Sequence, residues 1–200
     1  MSADTIEFWY DFASTYSYLS AGRIEALAKA KNVDITWHPF LLGPIFQAQG
    51  WNNSPFNIYK AKGDYMWRDM ARCADKYGLP FVGRKEAFPM NGLLAARITL
   101  CFDGEPARAE FTKHVFHAEF GQGKDIANAD VISEILIQCG RDCDEIFALA
   151  KTPEIKQKLF ANTEEAKAKG IFGAPSFVTS DRELFWGDDR LEQALDWCLK

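Results

Sequence analysis

The sequence predicts an α/β fold in which both ends of the chain supply one sheet and a run of helices stands between them. Three observations carry this prediction. Apolar residues alternate with period two near each terminus, a strand, helix, strand unit opens the chain, and the long middle shows helical spacing.

The first strand is read from the alternation of Ile6, Phe8, Tyr10 and Phe12, and it runs into a helix over about 16–31. Val33, Ile35 and Trp37 mark a second strand, and a crossover of one helix favours parallel pairing with the first. Residues 41–57, LLGPIFQAQGWNNSPFN, are rich in Gly, Pro and Asn and read as a functional loop. A helix follows through Tyr65, Met66, Met70 and Cys73 and stops at Gly78, with Pro80 beyond. Further helices are expected over 91–102, 107–120, 129–139, 144–149 and 153–169, with Asn128 and Thr152 as N-caps. After Gly170, GAPSFVTS and ELFWG flank the polar turn Ser180-Asp181-Arg182 and read as a hairpin, and a helix over 189–199 ends the chain. The expected organisation is a sheet domain from 1–62 and 150–200, interrupted by a helical domain over 63–149.

Composition limits the function. With 200 residues and 48% hydrophobic content the chain can bury a core, which excludes a disordered protein. A net charge of -5 offers no basic surface for a phosphate backbone, so no nucleic-acid partner is expected. The N-terminus lacks the pattern of a signal peptide and no apolar run approaches a membrane span, so the expectation is a cytoplasmic protein with no membrane partner. The five cysteines form no CxxC pair, which argues against a dithiol redox site and against a disulfide framework. Sixteen Phe and six Trp leave open a Phe-rich core, a subunit interface or a pocket for a flat ligand. No metal is expected, because His114 and His117 have no third donor at a recognisable spacing. Cys139 and Cys143 around Gly140 form an unpromising redox pair, and His38 reads as a strand-end histidine.

The junction of the first strand and helix, Asp11-Phe12-Ala13-Ser14-Thr15-Tyr16-Ser17-Tyr18-Leu19, puts two serines three apart at a helix start. Alone, either serine is an N-cap. Together with KGDYMWRDM from Lys62 and GIFGAPSFV with LFWGDDRL from Gly170, the stretch resembles the 2-hydroxychromene-2-carboxylate isomerases and the related kappa-class glutathione transferases. Their junction typically reads Asp-Phe-x-Ser-Pro-Tyr-Ser-Tyr-Leu, so this chain departs at Thr15. The resemblance spans nearly the full length and implies a thioredoxin-like fold of the DsbA type with a helical domain inserted. In that fold the first serine stands where a redox CxxC would begin.

The resemblance further implies that Pro175 is cis, that the backbone of Ala174 pairs with bound glutathione, and that Ser14 holds the glutathione thiolate as the catalytic residue. A hydroxyl there lacks a neighbouring base and is better suited to donate a hydrogen bond than to attack. Asn53, Lys62 and the turn Gly187-Asp188-Asp189 are carried over as glutathione-binding, the two carboxylates meeting its ammonium group. Lys62 and Asn91 are carried over to a conjugated, pyruvate-like aromatic substrate, and Ser17 to support of the first helical turn. The implied activity is glutathione-dependent cis-trans isomerisation in a homodimer serving aromatic catabolism. A kappa-type transferase and a non-catalytic peptide-binding module are the alternatives.

Overall fold

The computed structural model describes residues 4–200, and it has the α/β architecture that the sequence predicts. Strand β1 (Asp4–Tyr10) leads to helices α1 (Thr15–Ala21) and α2 (Ile24–Lys31), and β2 (Val33–Pro39) follows. Then come α3 (Leu42–Ala48), α4 (Pro55–Ile58), α5 (Lys60–Tyr77), α6 (Leu93–Thr99) and α7 (Glu105–Phe116), the last continued by a π-helical turn, His117–Gly121. Helices α8 (Ala129–Gln138), α9 (Cys143–Ala150) and α10 (Pro153–Ala168) lead into β3 (Ser176–Thr179), β4 (Leu184–Trp186) and α11 (Leu191–Trp197). The sheet order is β2-β1-β3-β4, with β1 and β2 parallel and the other two pairs antiparallel.

Alternation along β1 divides the core between the two faces of the sheet. Ile6, Phe8 and Tyr10 join Trp37, Phe177 and the inner faces of most helices in one large cluster, while Trp9 turns the other way to Phe40, Ala166 and Val178. Much of the aromatic content is consumed here. Tyr10 and Phe12 pack edge-on at 5.5 Å, Phe12 and Phe116 lie 5.0 Å apart, and Tyr18 meets Phe120 at 5.6 Å. This continuous aromatic seam joins the strand end to the intervening helices, and it rigidly places the junction at residues 11–14.

Two expectations from the sequence are corrected. The helix over 16–31 is broken at Gly22, where a β-carbon would lie 2.7 Å from Leu79 Cδ2, and the chain turns there so that Arg23 reaches Asp188. The supposed loop over 41–57 holds two short helices, with Ser54 capping α4 by accepting from the Phe56 N–H at 3.3 Å. The N-caps hold: Asn128 accepts from Asp130 N–H at 2.9 Å and Thr152 from Ile155 N–H at 3.4 Å. Gly78 closes α5 in the left-handed conformation with φ of 67°, which glycine adopts without steric cost.

Candidate active site

The site begins where β1 ends. The Asp11 carboxylate accepts from the N–H groups of Ala13 at 2.8 Å and Leu42 at 2.7 Å, so one side chain fixes both the β1–α1 turn and the start of α3. Pairing of Trp9 with Ser176 then carries the segment before β3 to the same place. There the Ala174–Pro175 bond is cis, as the resemblance implies, and the Ser14 hydroxyl donates to the Ala174 carbonyl at 2.9 Å. Ser14 also caps α1, accepting from Ser17 N–H at 3.2 Å. Among the described residues, the N–H groups of Thr15 and Tyr16 at this helix start have no protein acceptor.

The two serines differ in use. The Ser17 N–H supports the first turn, but its fully buried hydroxyl has no hydrogen-bond partner among the described residues. Thr15, where the resembled pattern has Pro, turns away from the site and rests its hydroxyl on Met66 Sδ at 2.9 Å.

A cleft of about 410 Å³ opens beside Asp11 and Ala13, between the 41–54 segment and residues 89–93. Asn53 and Asn91 both line it. Asn53 Oδ1 accepts from Ser54 N–H at 2.7 Å, and Asn91 Oδ1 accepts from Leu93 N–H at 3.0 Å. Lys62 is not among the lining residues: it is exposed, with its ammonium 5.6 Å from the centre of the Phe56 ring.

On the other side of Ser14, Gly187 donates to the Pro175 carbonyl at 2.9 Å and adopts φ of 107°, a conformation that favours glycine. The expectation that both following carboxylates face a ligand is corrected here. Asp188 points inward, accepting from Ser20 Oγ at 2.7 Å and from Arg23 through both carboxylate oxygens, at 3.3 and 3.2 Å. Its side chain is only 5% exposed, and burial raises its pKa despite Arg23 and Ser20. Asp189 is the outward member, 74% exposed and 3.4 Å from Arg190.

Sequence reasoning missed two acids. Asp11 could have been found as an Asx turn ahead of a helix start. Glu119 could not: it lies fully buried in the π-helical turn, neither carboxylate oxygen has a partner among the described residues, and burial pushes its pKa well up. Lys85 donates instead to the main-chain carbonyls of Glu119 at 3.3 Å and Lys124 at 3.1 Å.

Elsewhere, the fold sets Cys139 beside Glu110 and His114, which are four apart on α7, with their donor atoms all within 4.8 Å of one another. His38 stacks on Trp9 at 4.4 Å and its pKa is lowered by burial, which agrees with a structural strand-end histidine. All five cysteines are free thiols. No helix among the described residues is long and apolar enough to cross a membrane.

The DSBA-like thioredoxin domain matches residues 5–197. The chain is a member of the DsbA-like thioredoxin family. Within it, a 2-hydroxychromene-2-carboxylate isomerase of Sphingobium xenophagum is 28% identical, over 94% of each chain. Glutathione s-transferase kappa 2 of Caenorhabditis elegans is 26% identical over 96% of this chain and 90% of its own. The solved structure of a 2-hydroxychromene-2-carboxylate isomerase superposes with a TM-score of 0.87 at 26% identity, covering 98% of this DsbA-like chain and 94% of that one. The resemblance read from the junction, the Lys62 block and the Gly170 block is therefore matched over the whole fold.

Proposed function

We propose that this DsbA-like protein is a glutathione-dependent isomerase of the 2-hydroxychromene-2-carboxylate type. The observation that carries the reading is the 2.9 Å bond from Ser14 Oγ to Ala174 O. It puts the helix start against the cis-proline segment, so a peptide laid along Ala174 presents its side chain to Ser14. A serine in place of a cysteine leaves the site without a thiol of its own, and glutathione supplies a thiolate able to add to a conjugated double bond and leave again after rotation.

The residues divide the remaining work. Ser14 turns its hydroxyl from Ala174 O toward the sulfur, and the Thr15 and Tyr16 N–H groups stand beside it to favour thiolate over thiol. Ala174 and Pro175 supply the backbone edge, and Gly187 shapes the turn that presents Asp189 to an ammonium group. Asp188 acts through Arg23 as the support of that turn. Lys62 is left for a glutathione carboxylate, Asn53 for the boundary between glutathione and cleft, and Asn91 for the substrate side. A cytoplasmic location, aromatic catabolism and a homodimer follow the relatives and belong to this proposal.

A kappa-type transferase uses the same residues, and the apolar cleft favours it as the second reading; it differs by steady consumption of glutathione with a chlorodinitrobenzene-type electrophile. Calorimetry with millimolar glutathione, combined with thiolate absorbance against pH, tests both. The expected result is binding with the sulfur pKa moved below the value of about 8.5 for a free thiol. Absence of binding would instead leave the groove beside Pro175 as a non-catalytic peptide-docking edge.

A further inference from the structure

The sequence leaves two pairs of metal-binding residue types without a further donor, His114 with His117 and Cys139 with Cys143, and the fold takes one member from each. Glu110 and His114 stand four apart on α7, which puts them on one face of the helix, and Cys139 caps the C-terminal end of α8. A carboxylate oxygen, an imidazole nitrogen and the thiol sulfur lie within 4.8 Å of one another, and no other group of three His, Cys, Asp or Glu donors comes so close among the described residues. None of the three lines the cleft beside Asp11, and none belongs to the residues assigned to glutathione.

The surroundings of Cys139 set it apart from most of the other thiols. Cys73, Cys101 and Cys143 each donate to an oxygen, of Asp69, Arg97 and Ser133, at 4.0, 3.4 and 3.6 Å. Cys139 has no such acceptor among the described residues, and its sulfur lies beside the α7 pair instead. His114 Nδ1 is 3.2 Å from Gln138 Oε1, an acceptor outside the group. A proton held there leaves Nε2 with its lone pair, and hydrogen bonds of this kind orient metal-binding histidines. The imidazole and thiol are half-buried and Glu110 is exposed, so the group is open to solvent. Zinc bonds of about 2.0 to 2.3 Å set tetrahedral ligand atoms roughly 3.3 to 3.8 Å apart. Separations of up to 4.8 Å need only a small closing movement, which side-chain rotation supplies.

We propose that Glu110, His114 and Cys139 bind a zinc ion, with water in the fourth position, as a brace between α7 and the end of α8. Thiolate and imidazole donors select zinc over magnesium and calcium, which take oxygen ligands. On binding, a zinc–sulfur bond replaces the S–H bond of Cys139 and the proton passes to solvent. The brace is independent of the glutathione reading. It bears on the fold instead, because α7 also carries Phe116, which packs 5.0 Å from Phe12 at the β1–α1 junction.

The test is titration of the full chain, freed of metal by a chelator, with zinc by calorimetry and with cobalt(II) by absorption. One equivalent of zinc is expected to bind at micromolar concentration and to raise the Tm, and cobalt(II) is expected to give the near-ultraviolet band of a thiolate ligand. His114→Ala, Cys139→Ala and Glu110→Gln are each expected to weaken zinc binding at least about tenfold, since loss of even a group that only orients a zinc ligand costs that much. His117→Ala and Cys143→Ala are expected to leave the stoichiometry and the cobalt band unchanged. Failure of the natural sequence to bind zinc at micromolar concentration overturns the proposal, as does binding that survives His114→Ala or Cys139→Ala or is lost in Cys143→Ala. Glu110 is exposed, so Glu110→Gln keeps the fold, and unchanged affinity in that variant overturns the three-ligand site by itself.

Discussion

Two regions next to the β1–α1 junction are built from opposite chemistry. On the cis-proline side, Arg23, Asp188, Asp189 and Arg190 crowd around one turn, and on the cleft side Asp11 alone is ionisable among apolar walls and amides. The first offers charged partners to the ends of a zwitterionic peptide, and the second offers apolar and amide surface. The Ser14 hydroxyl belongs to the first region, donating to Ala174 O.

The turn on the charged side is the most sensitive point of the comparison. Asp188→Asn leaves Arg23 with the exposed Glu192 as its carboxylate partner and is expected to lower stability by about 3 kcal/mol in denaturant unfolding, since breaking a buried pair is strongly destabilising. Unchanged stability would mean that Asp188 does not support the turn. Ser14→Ala removes the proposed thiolate donor, and turnover is expected to fall about a hundredfold, by analogy with loss of one oriented donor at a developing anion, while glutathione still binds. Equal kinetics would end the thiolate assignment.

Asp189→Asn sharpens the division between the neighbouring acids: a rise of about tenfold in the KM for glutathione is expected, the order of one charge-assisted hydrogen bond, with an unaltered Tm. A shift in Tm with KM unchanged would give Asp189 the structural role instead. The smallest effect concerns Glu119. Because its folded pKa is raised above the ordinary 4.5, ionisation is less favourable in the folded chain, and wild-type stability falls as pH rises past that value. Glu119→Gln is expected to be more stable by about 1 kcal/mol at neutral pH, an advantage that disappears near pH 4 in pH-dependent unfolding. The reverse pH trend would show that an ionised Glu119 has a partner.

Local signals in the chain were legible where the physics is local. Asn128 and Thr152 as caps and Gly78 as a helix stop depend on groups within a few residues, and each is found as read. The break at Gly22 and the inward turn of Asp188 were not legible, because both answer to partners far along the chain, Leu79 in one case and Arg23 in the other. The short helices α3 and α4 were obscured by Gly43, Pro44 and Pro55, residues that signal turns on average but are tolerated near helix starts. Glu119 illustrates the limit: a Glu on a helix reads as solvated until packing removes its water.

The sequence by itself determined the strand and helix periods, the missing dithiol, the family resemblance and the serine at the helix start, since these reside in residue type and short-range spacing. Only the tertiary structure decided which acid of the Asp188-Asp189 pair faces outward, that Asn53 and Asn91 line one cleft, and that no cation lines it among the described residues. Those properties depend on which distant side chains share a small volume, and it is the closing of β1 against β3 and of the 41–54 segment against residues 89–93 that sets them.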